Sequence, residues 1–145
     1  MRKLVIAISM LALAASAAFA DPILDRQALM KERGKIAGGL LKVVKGEEPF
    51  DAAAVLTALQ TLQANAEKFN TEALFPAGSD DSDTTASPKI WEDKAGFNAA
   101  ADKLLADVKA AVASPPADVD GLNAQLNTIG GDCGACHQTY RIKKG

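Results

Sequence analysis

This chain is poor in the residues that usually carry chemistry. Its 145 residues include two cysteines, one histidine and one tryptophan, and aromatic residues make up 5% of the total. A zinc site needs about four nitrogen or sulfur ligands, so the cysteines and histidine of this chain do not suffice for one. Acidic residues outnumber basic ones, 18 to 16. Because an acidic protein gains nothing from phosphate contacts, nucleic acid is excluded as the expected partner.

The chain also lacks strand patterns, and its one long apolar run lies at the amino terminus. The basic pair Arg2-Lys3 precedes apolar residues 4–19, and residues 18–20 form an A-x-A cleavage site. We therefore predict that residues 1–20 are a cleaved signal peptide and that the mature protein is exported to a bacterial periplasm without membrane insertion. The alternative, a membrane anchor, needs about 20 apolar residues, which is more than this run provides.

Both cysteines and the histidine fall within five residues. Cys133 and Cys136 lie three positions apart and His137 follows directly, which is the signature of covalent c-type haem attachment. The two thiols lie on one side of a helical turn, where each can add to a haem vinyl group, and the adjacent imidazole can reach the iron. A thioredoxin-like Cys-x-x-Cys is the main alternative, but it expects a βαβ context that this chain lacks.

The remainder of the sequence predicts four amphipathic helices. They cover about residues 22–45, 51–69, 88–113 and 118–140, with a long loop over residues 70–87. On the first helix, one apolar row has a second row beside it. The first row comprises Ile23, Gln27, Met30, Gly34, Ala37, Leu41 and Val44, and the second Leu29, Ile36, Leu40 and Val43. We predict an all-α fold, an antiparallel up-down-up-down four-helix bundle forming one domain over residues 21–145.

The haem motif lies near the carboxyl end of the chain, on the last predicted helix. Motifs along the whole mature sequence resemble the cytochrome c′ family, the class II cytochromes c. They are Arg26-Gln27, Val44-Lys45-Gly46, Pro49-Phe50-Asp51, Leu74-Phe75-Pro76, Pro88-Lys89-Ile90-Trp91 and Cys133-Gly134-Ala135-Cys136-His137 followed by Tyr140-Arg141. The resemblance implies a four-helix bundle with one covalently bound haem c, held by Cys133 and Cys136, with His137 as the proximal iron ligand.

The resemblance also identifies the residue on the distal face of the iron. In the family this residue lies four positions after the arginine of the Arg-Gln pair, which here is Met30. A thioether is a soft ligand that suits haem iron, so the pattern is similar to the low-spin branch with His and Met axial ligands. In the alternative interpretation Met30 only fills the core, and the iron is five-coordinate, high-spin and open to NO or CO.

Three further residues acquire roles from the resemblance. Arg26 matches the family's arginine that approaches a haem propionate, the alternative being a surface arginine. Gln27 is expected to touch the haem edge. Arg141 is similar to the basic residue beside the proximal imidazole.

These features predict a periplasmic monohaem one-electron carrier, not an enzyme, that exchanges electrons with redox partner proteins. Family members form dimers through their first two helices, which suggests a homodimer here. Two other functions stay open. One is a gas-binding cytochrome c′ with NO or CO at the distal face, and the other is a thiol–disulfide oxidoreductase that uses free Cys133 and Cys136.

Overall fold

The computed structural model describes residues 21–80 and 83–143, and the predicted signal peptide lies outside this range. The described residues form four long helices and two short ones. In chain order these are α1 (Pro22–Val44), α2 (Ala52–Glu67), α3 (Thr71–Leu74), α4 (Lys89–Glu92), α5 (Lys94–Ala113) and α6 (Val119–Tyr140). The two short helices lie in the connection between α2 and α5.

The four long helices form the predicted bundle. Helix α1 packs against α2 and α6, and α5 packs against the same two helices from the other side. Each long helix therefore contacts both of its neighbours in a closed ring, and successive helices run antiparallel as in an up-down-up-down bundle. Within the described residues, no helix is both long enough and apolar enough to cross a bilayer.

Aspartate side chains cap the first turn of all four long helices. The carboxylates of Asp21, Asp51 and Asp118 each accept a hydrogen bond from a backbone N–H in the first turn, with N···O distances of 2.7–2.9 Å. This satisfies donors that the helix itself leaves unpaired. After α1, Gly46 adopts a φ of +74°, which a residue without a β-carbon does at little cost. Local sequence therefore determines where these helices begin and end.

The prediction of one continuous third helix is wrong in one respect, because the structure divides it at Asp93 into α4 and α5. This residue has φ −131° and ψ 59°, which ends α4 and begins α5. Its carboxylate accepts a hydrogen bond from the Gly96 N–H at 3.1 Å and another from the Tyr140 hydroxyl at 3.0 Å. The break is stabilised by a cap on α5 and by a contact from α6, and the second of these is not visible in the local sequence.

The Asp93 cap is expected to make stability depend on pH. The Gly96 N–H, followed by the Tyr140 hydroxyl, holds the pKa of Asp93 below its ordinary value. Since the folded pKa is the lower one, this stabilisation is present above the unfolded pKa and is lost as pH falls through the folded pKa. Asp93→Asn should therefore lower the free energy of unfolding at pH 7 and have less effect in acid, measured by chemical denaturation at several pH values. An equal effect at all pH values would contradict this.

The buried side chains form two clusters at different levels of the bundle. The first, which we call the aliphatic core, joins all four long helices and comprises Leu40, Val55, Leu59, Leu62, Leu104, Val108, Ala111, Leu122, Leu126 and Ile129. The second, the aromatic cluster, comprises Leu74, Phe75, Ile90, Phe97 and Tyr140, with Leu29, Phe69, Ala86, Trp91, Ala100 and Cys136 packed against it. Of the six aromatic residues in the described part of the chain, five belong to this cluster, and Phe50 packs against the aliphatic core.

The orientation of α1 differs from the prediction. Its buried residues are Arg26, Arg33 and Leu40, spaced seven apart, whereas Leu41 is 44% exposed and Gln27 is exposed. The buried row therefore follows the second predicted row, extended by two arginines. The middle of the first row, with Met30, Gly34 and Ala37, lines a cleft.

Candidate haem site

A cleft of about 530 Å³ opens between α1 and α6 beside the aromatic cluster. Helix α1 contributes Met30, Gly34 and Ala37 to its wall, and α6 contributes the two cysteines and His137. The remaining lining residues come from the aromatic cluster, from the segment before α4, from basic side chains and from the amide side chain of Gln27. They are Arg26, Gln27, Lys31, Arg33, Phe69, Phe75, Thr84, Thr85, Ala86, Ile90, Phe97, Tyr140 and Arg141. The structure thus brings every predicted site residue to one cavity.

The attachment motif lies in the last turns of α6. Cys133 and Cys136 are free thiols, both half-buried, and burial raises the pKa of each. A helix places residues three and four apart on the same face, so Cys133, Cys136 and His137 all reach the cleft. The pKa of His137 is lowered, first by partial burial and then by the charge of Arg141, which favours the neutral imidazole, the form that binds a metal.

The α1 wall has the shape that a flat ligand needs. A β-carbon built on Gly34 would meet no atom within 4 Å, so the backbone of α1 lines open space there. The half-buried Met30 lies one turn before Gly34 and lines the same cleft. Two thiols and an imidazole on one wall, with a thioether on the other, make a donor set that fits a covalently attached haem.

Arg26 is 4% exposed and ties α1 to the segment between α3 and α4. Its guanidinium donates hydrogen bonds to the Leu74 carbonyl at 2.9 Å, to both the hydroxyl and the carbonyl of Ser79, and to the Thr84 hydroxyl at 3.0 Å. The guanidinium carbon lies 4.6 Å from the centre of the Phe75 ring. Arg26 also lines the cleft, and its contact with a propionate stays a prediction.

Gln27 and Arg141 lie at the mouth of the cleft. The Gln27 side-chain amide donates a hydrogen bond to the Asp83 carbonyl at 2.9 Å, so this residue also holds the segment before α4. Arg141 pairs with Ala86 in an isolated antiparallel bridge, and the next N–H, of Ile142, donates to the Thr85 carbonyl at 2.8 Å. The chain after the haem motif is therefore fixed against the same segment.

Sequence reasoning missed two residues of this site, Arg33 and Asn65. Arg33 lines the cleft and is 8% exposed, and Asn65 of α2 is 1% exposed and accepts a hydrogen bond from Arg33 Nε at 2.9 Å. The spacing from Arg26 could have indicated Arg33. The two arginines are seven residues apart, the helical spacing that returns a side chain to the same face. Asn65 belongs to another helix, so nothing in its local sequence indicates this contact.

Comparison with known proteins gives the same picture. The family model described as Cytochrome C′ matches residues 21–141. Cytochrome c-556 of Agrobacterium tumefaciens (strain II Chrys) is 44% identical over 125 residues, covering 86% of this chain and 100% of the relative. The solved cytochrome c′ from Rhodopseudomonas palustris is 38% identical with a TM-score of 0.79, covering 87% of this chain and 99% of that one.

A further solved relative was determined with a bound gas. It is a nitric oxide complex of a cytochrome c′ variant from Alcaligenes xylosoxidans, 30% identical with a TM-score of 0.75, covering 88% of this chain and 98% of that one. The family match spans nearly all of the described residues, and the cleft presents the cysteines and histidine that covalent attachment requires. This chain therefore belongs to the cytochrome c′ family, and it is a c-type cytochrome whose cofactor is covalently bound haem c.

Proposed function

We propose that this protein is a one-electron carrier of the periplasm, and not an enzyme, with its haem iron held between His137 and Met30. The observation that supports this most is that Met30 and His137 line one cleft from two helices, α1 and α6, that pack against each other. Met30 is also the one methionine in the described part of the chain. Its thioether is therefore the available soft ligand opposite the imidazole.

Each site residue has a distinct part in this proposal. Cys133 and Cys136 would hold the haem through thioether bonds, and His137 and Met30 would supply an imidazole nitrogen and a thioether sulfur to its iron. When bound, the haem supplies a ferric–ferrous couple that takes up and releases one electron. Both ligand-bearing helices pack on the same aliphatic core, so their separation is held by packing and changes little between oxidation states.

A second candidate function is reversible gas binding at the distal face. It is favoured by the family membership and by the nitric oxide complex of the Alcaligenes xylosoxidans relative. It requires that Met30 be detached from the iron or readily displaced. The two functions therefore differ in a single bond, which spectroscopy can detect.

The deciding measurement is the absorption spectrum of the purified holoprotein, ferric and ferrous, with and without carbon monoxide. An electron carrier with filled axial positions should show a low-spin ferrous spectrum that carbon monoxide leaves unchanged. A high-spin spectrum that shifts on adding carbon monoxide would overturn His/Met ligation and establish the gas-binding function. Recovery of the holoprotein from the periplasmic fraction would test the predicted export, and a mass that matches a chain beginning at Asp21 would test the predicted cleavage.

We also propose that two copies associate through α1 and α2. A groove of about 520 Å³ lies between these helices, with Ile36, Val43 and Val55 among its apolar lining residues. Ala58→Glu would place a charge in this groove and should convert a dimer to monomers in sedimentation analysis, since burying an unpaired charge is costly. Thr57→Glu, exposed and outside the groove, is the matched control. A monomeric parent protein would refute the association.

A further inference from the structure

Arg33 is a buried cation in the wall of the haem cleft. It lies on α1 three residues after Met30, and it is 8% exposed. Among the described residues it forms no ion pair with a carboxylate. Buried charges are normally paired, so an unpaired arginine in this position requires an explanation.

The neighbours of Arg33 hold its guanidinium in place without neutralising it. Arg33 Nε donates to Asn65 Oδ1 at 2.9 Å, and its guanidinium carbon lies 5.1 Å from the centre of the Phe69 ring. The Asn65 amide is itself oriented, because its Nδ2 donates to the Leu29 carbonyl at 3.1 Å and to the Glu32 carboxylate at 2.8 Å. The amide oxygen is therefore left to face Arg33.

One nitrogen of the Arg33 guanidinium is left without a partner. Arg33 Nη2 is buried and has no hydrogen-bond partner among the described residues, and Arg33 lines the cleft together with Cys133, Cys136 and His137. Its positive charge therefore lies in the same cleft as the residues that would attach the haem and bind its iron.

We propose that Arg33 is a fixed cation of the haem site that raises the reduction potential of the iron. Ferric iron carries one more positive charge than ferrous iron, so a nearby cation disfavours the ferric state. The effect is large here because the guanidinium is shielded from water and salt. This inference depends on the covalent haem of the family, and not on Met30 being the sixth ligand.

The expected size of the effect follows from Coulomb's law. If the iron is held on the order of 10 Å from the guanidinium, a unit charge at an effective dielectric constant of about 20 would change the ferrous-to-ferric ratio by roughly tenfold. For a one-electron couple, a tenfold change in this ratio corresponds to about 59 mV. An exposed cation on the same helix should have a much smaller effect, because water and salt screen it.

The test is a redox titration of the holoprotein and its variants, followed by absorbance. Arg33→Met should lower the ferrous-to-ferric ratio about tenfold at a fixed ambient potential, whereas Arg33→Lys should retain most of the parent value. Lys35→Met, which removes an exposed charge two residues away on α1, is the control for net charge. Arg33→Gln keeps a donor for Asn65 and is the second neutral variant if the methionine variant does not fold.

The experiment tests the effect of Arg33 on the reduction potential separately from the proposed His137/Met30 ligation. Each variant is compared with the parent only after its ferric spectrum shows the same axial coordination. If the neutral Arg33 variants shift the ratio no more than Lys35→Met does, or shift it in the opposite direction, the inference is refuted. If the parent proves high-spin, His/Met ligation fails, but the expected direction of the Arg33 effect is unchanged.

Discussion

Met30→Leu is expected to convert the holoprotein from one that does not bind carbon monoxide to one that does. Leucine and methionine have similar volumes, so the exchange should cost less than about 1.5 kcal/mol of stability. Leucine has no lone pair for the iron, however, so the distal position would become available to a small ligand. The ferric methionine–iron charge-transfer band should disappear, and the ferrous spectrum should become high-spin and shift on addition of carbon monoxide.

The neighbouring position supplies a control for this experiment. Leu29 packs against the aromatic cluster and is not part of the cleft wall, so Leu29→Met introduces a thioether that cannot reach the iron. Its spectrum should match that of the parent. If the parent and Met30→Leu bind carbon monoxide equally well, then Met30 is a packing residue and the protein is a gas-binding cytochrome.

Arg26→Met is expected to cause the largest loss of stability among the charged residues of α1. Four acceptors of its guanidinium among the described residues lie between Leu74 and Thr84, and two of them are backbone carbonyls. Hydrogen bonds from charged donors contribute about 1.5–3 kcal/mol each, and buried acceptors left unpaired add a further penalty. We expect a loss of about 3 kcal/mol or more, measured by chemical denaturation of the holoprotein.

The same variant should loosen the segment that Arg26 holds. Limited proteolysis should cleave between residues 75 and 84 faster in Arg26→Met than in the parent, because cleavage requires local opening. Lys35→Met removes an exposed charge from the same helix and should change neither measurement by much. If Arg26→Met is as stable and as resistant to proteolysis as Lys35→Met, then Arg26 does not hold this segment in place.

The fold was predictable where its determinants are close together in the chain. The aspartate caps at Asp21, Asp51 and Asp118 act on N–H groups two or three residues away, and the helical periodicity is a local pattern. The break at Asp93 was missed because the Tyr140 hydroxyl that supports it comes from another helix. Short-range contacts are visible in a sequence, whereas a contact between distant residues depends on how the helices pack.

The haem site shows the same division. Cys133, Cys136 and His137 lie within two turns of one helix, so their spacing alone identified the attachment motif. The propionate role of Arg26 came from a family resemblance, and the resemblance did not predict that its guanidinium would hold the segment from Leu74 to Thr84. Arg33 was missed altogether, because a charged residue was not expected on the buried face of α1.

The sequence by itself determined the chemistry of attachment, the helical class and the positions of most helix ends, since each depends on residues a few positions apart. The tertiary structure decided which face of α1 is buried and which side chains surround the cleft. It placed two arginines in the buried row because Asn65, Ser79 and Thr84, all distant in sequence, supply their hydrogen-bond partners. Burial of a charge is tolerable only where such partners converge, and that convergence exists only once the helices have packed.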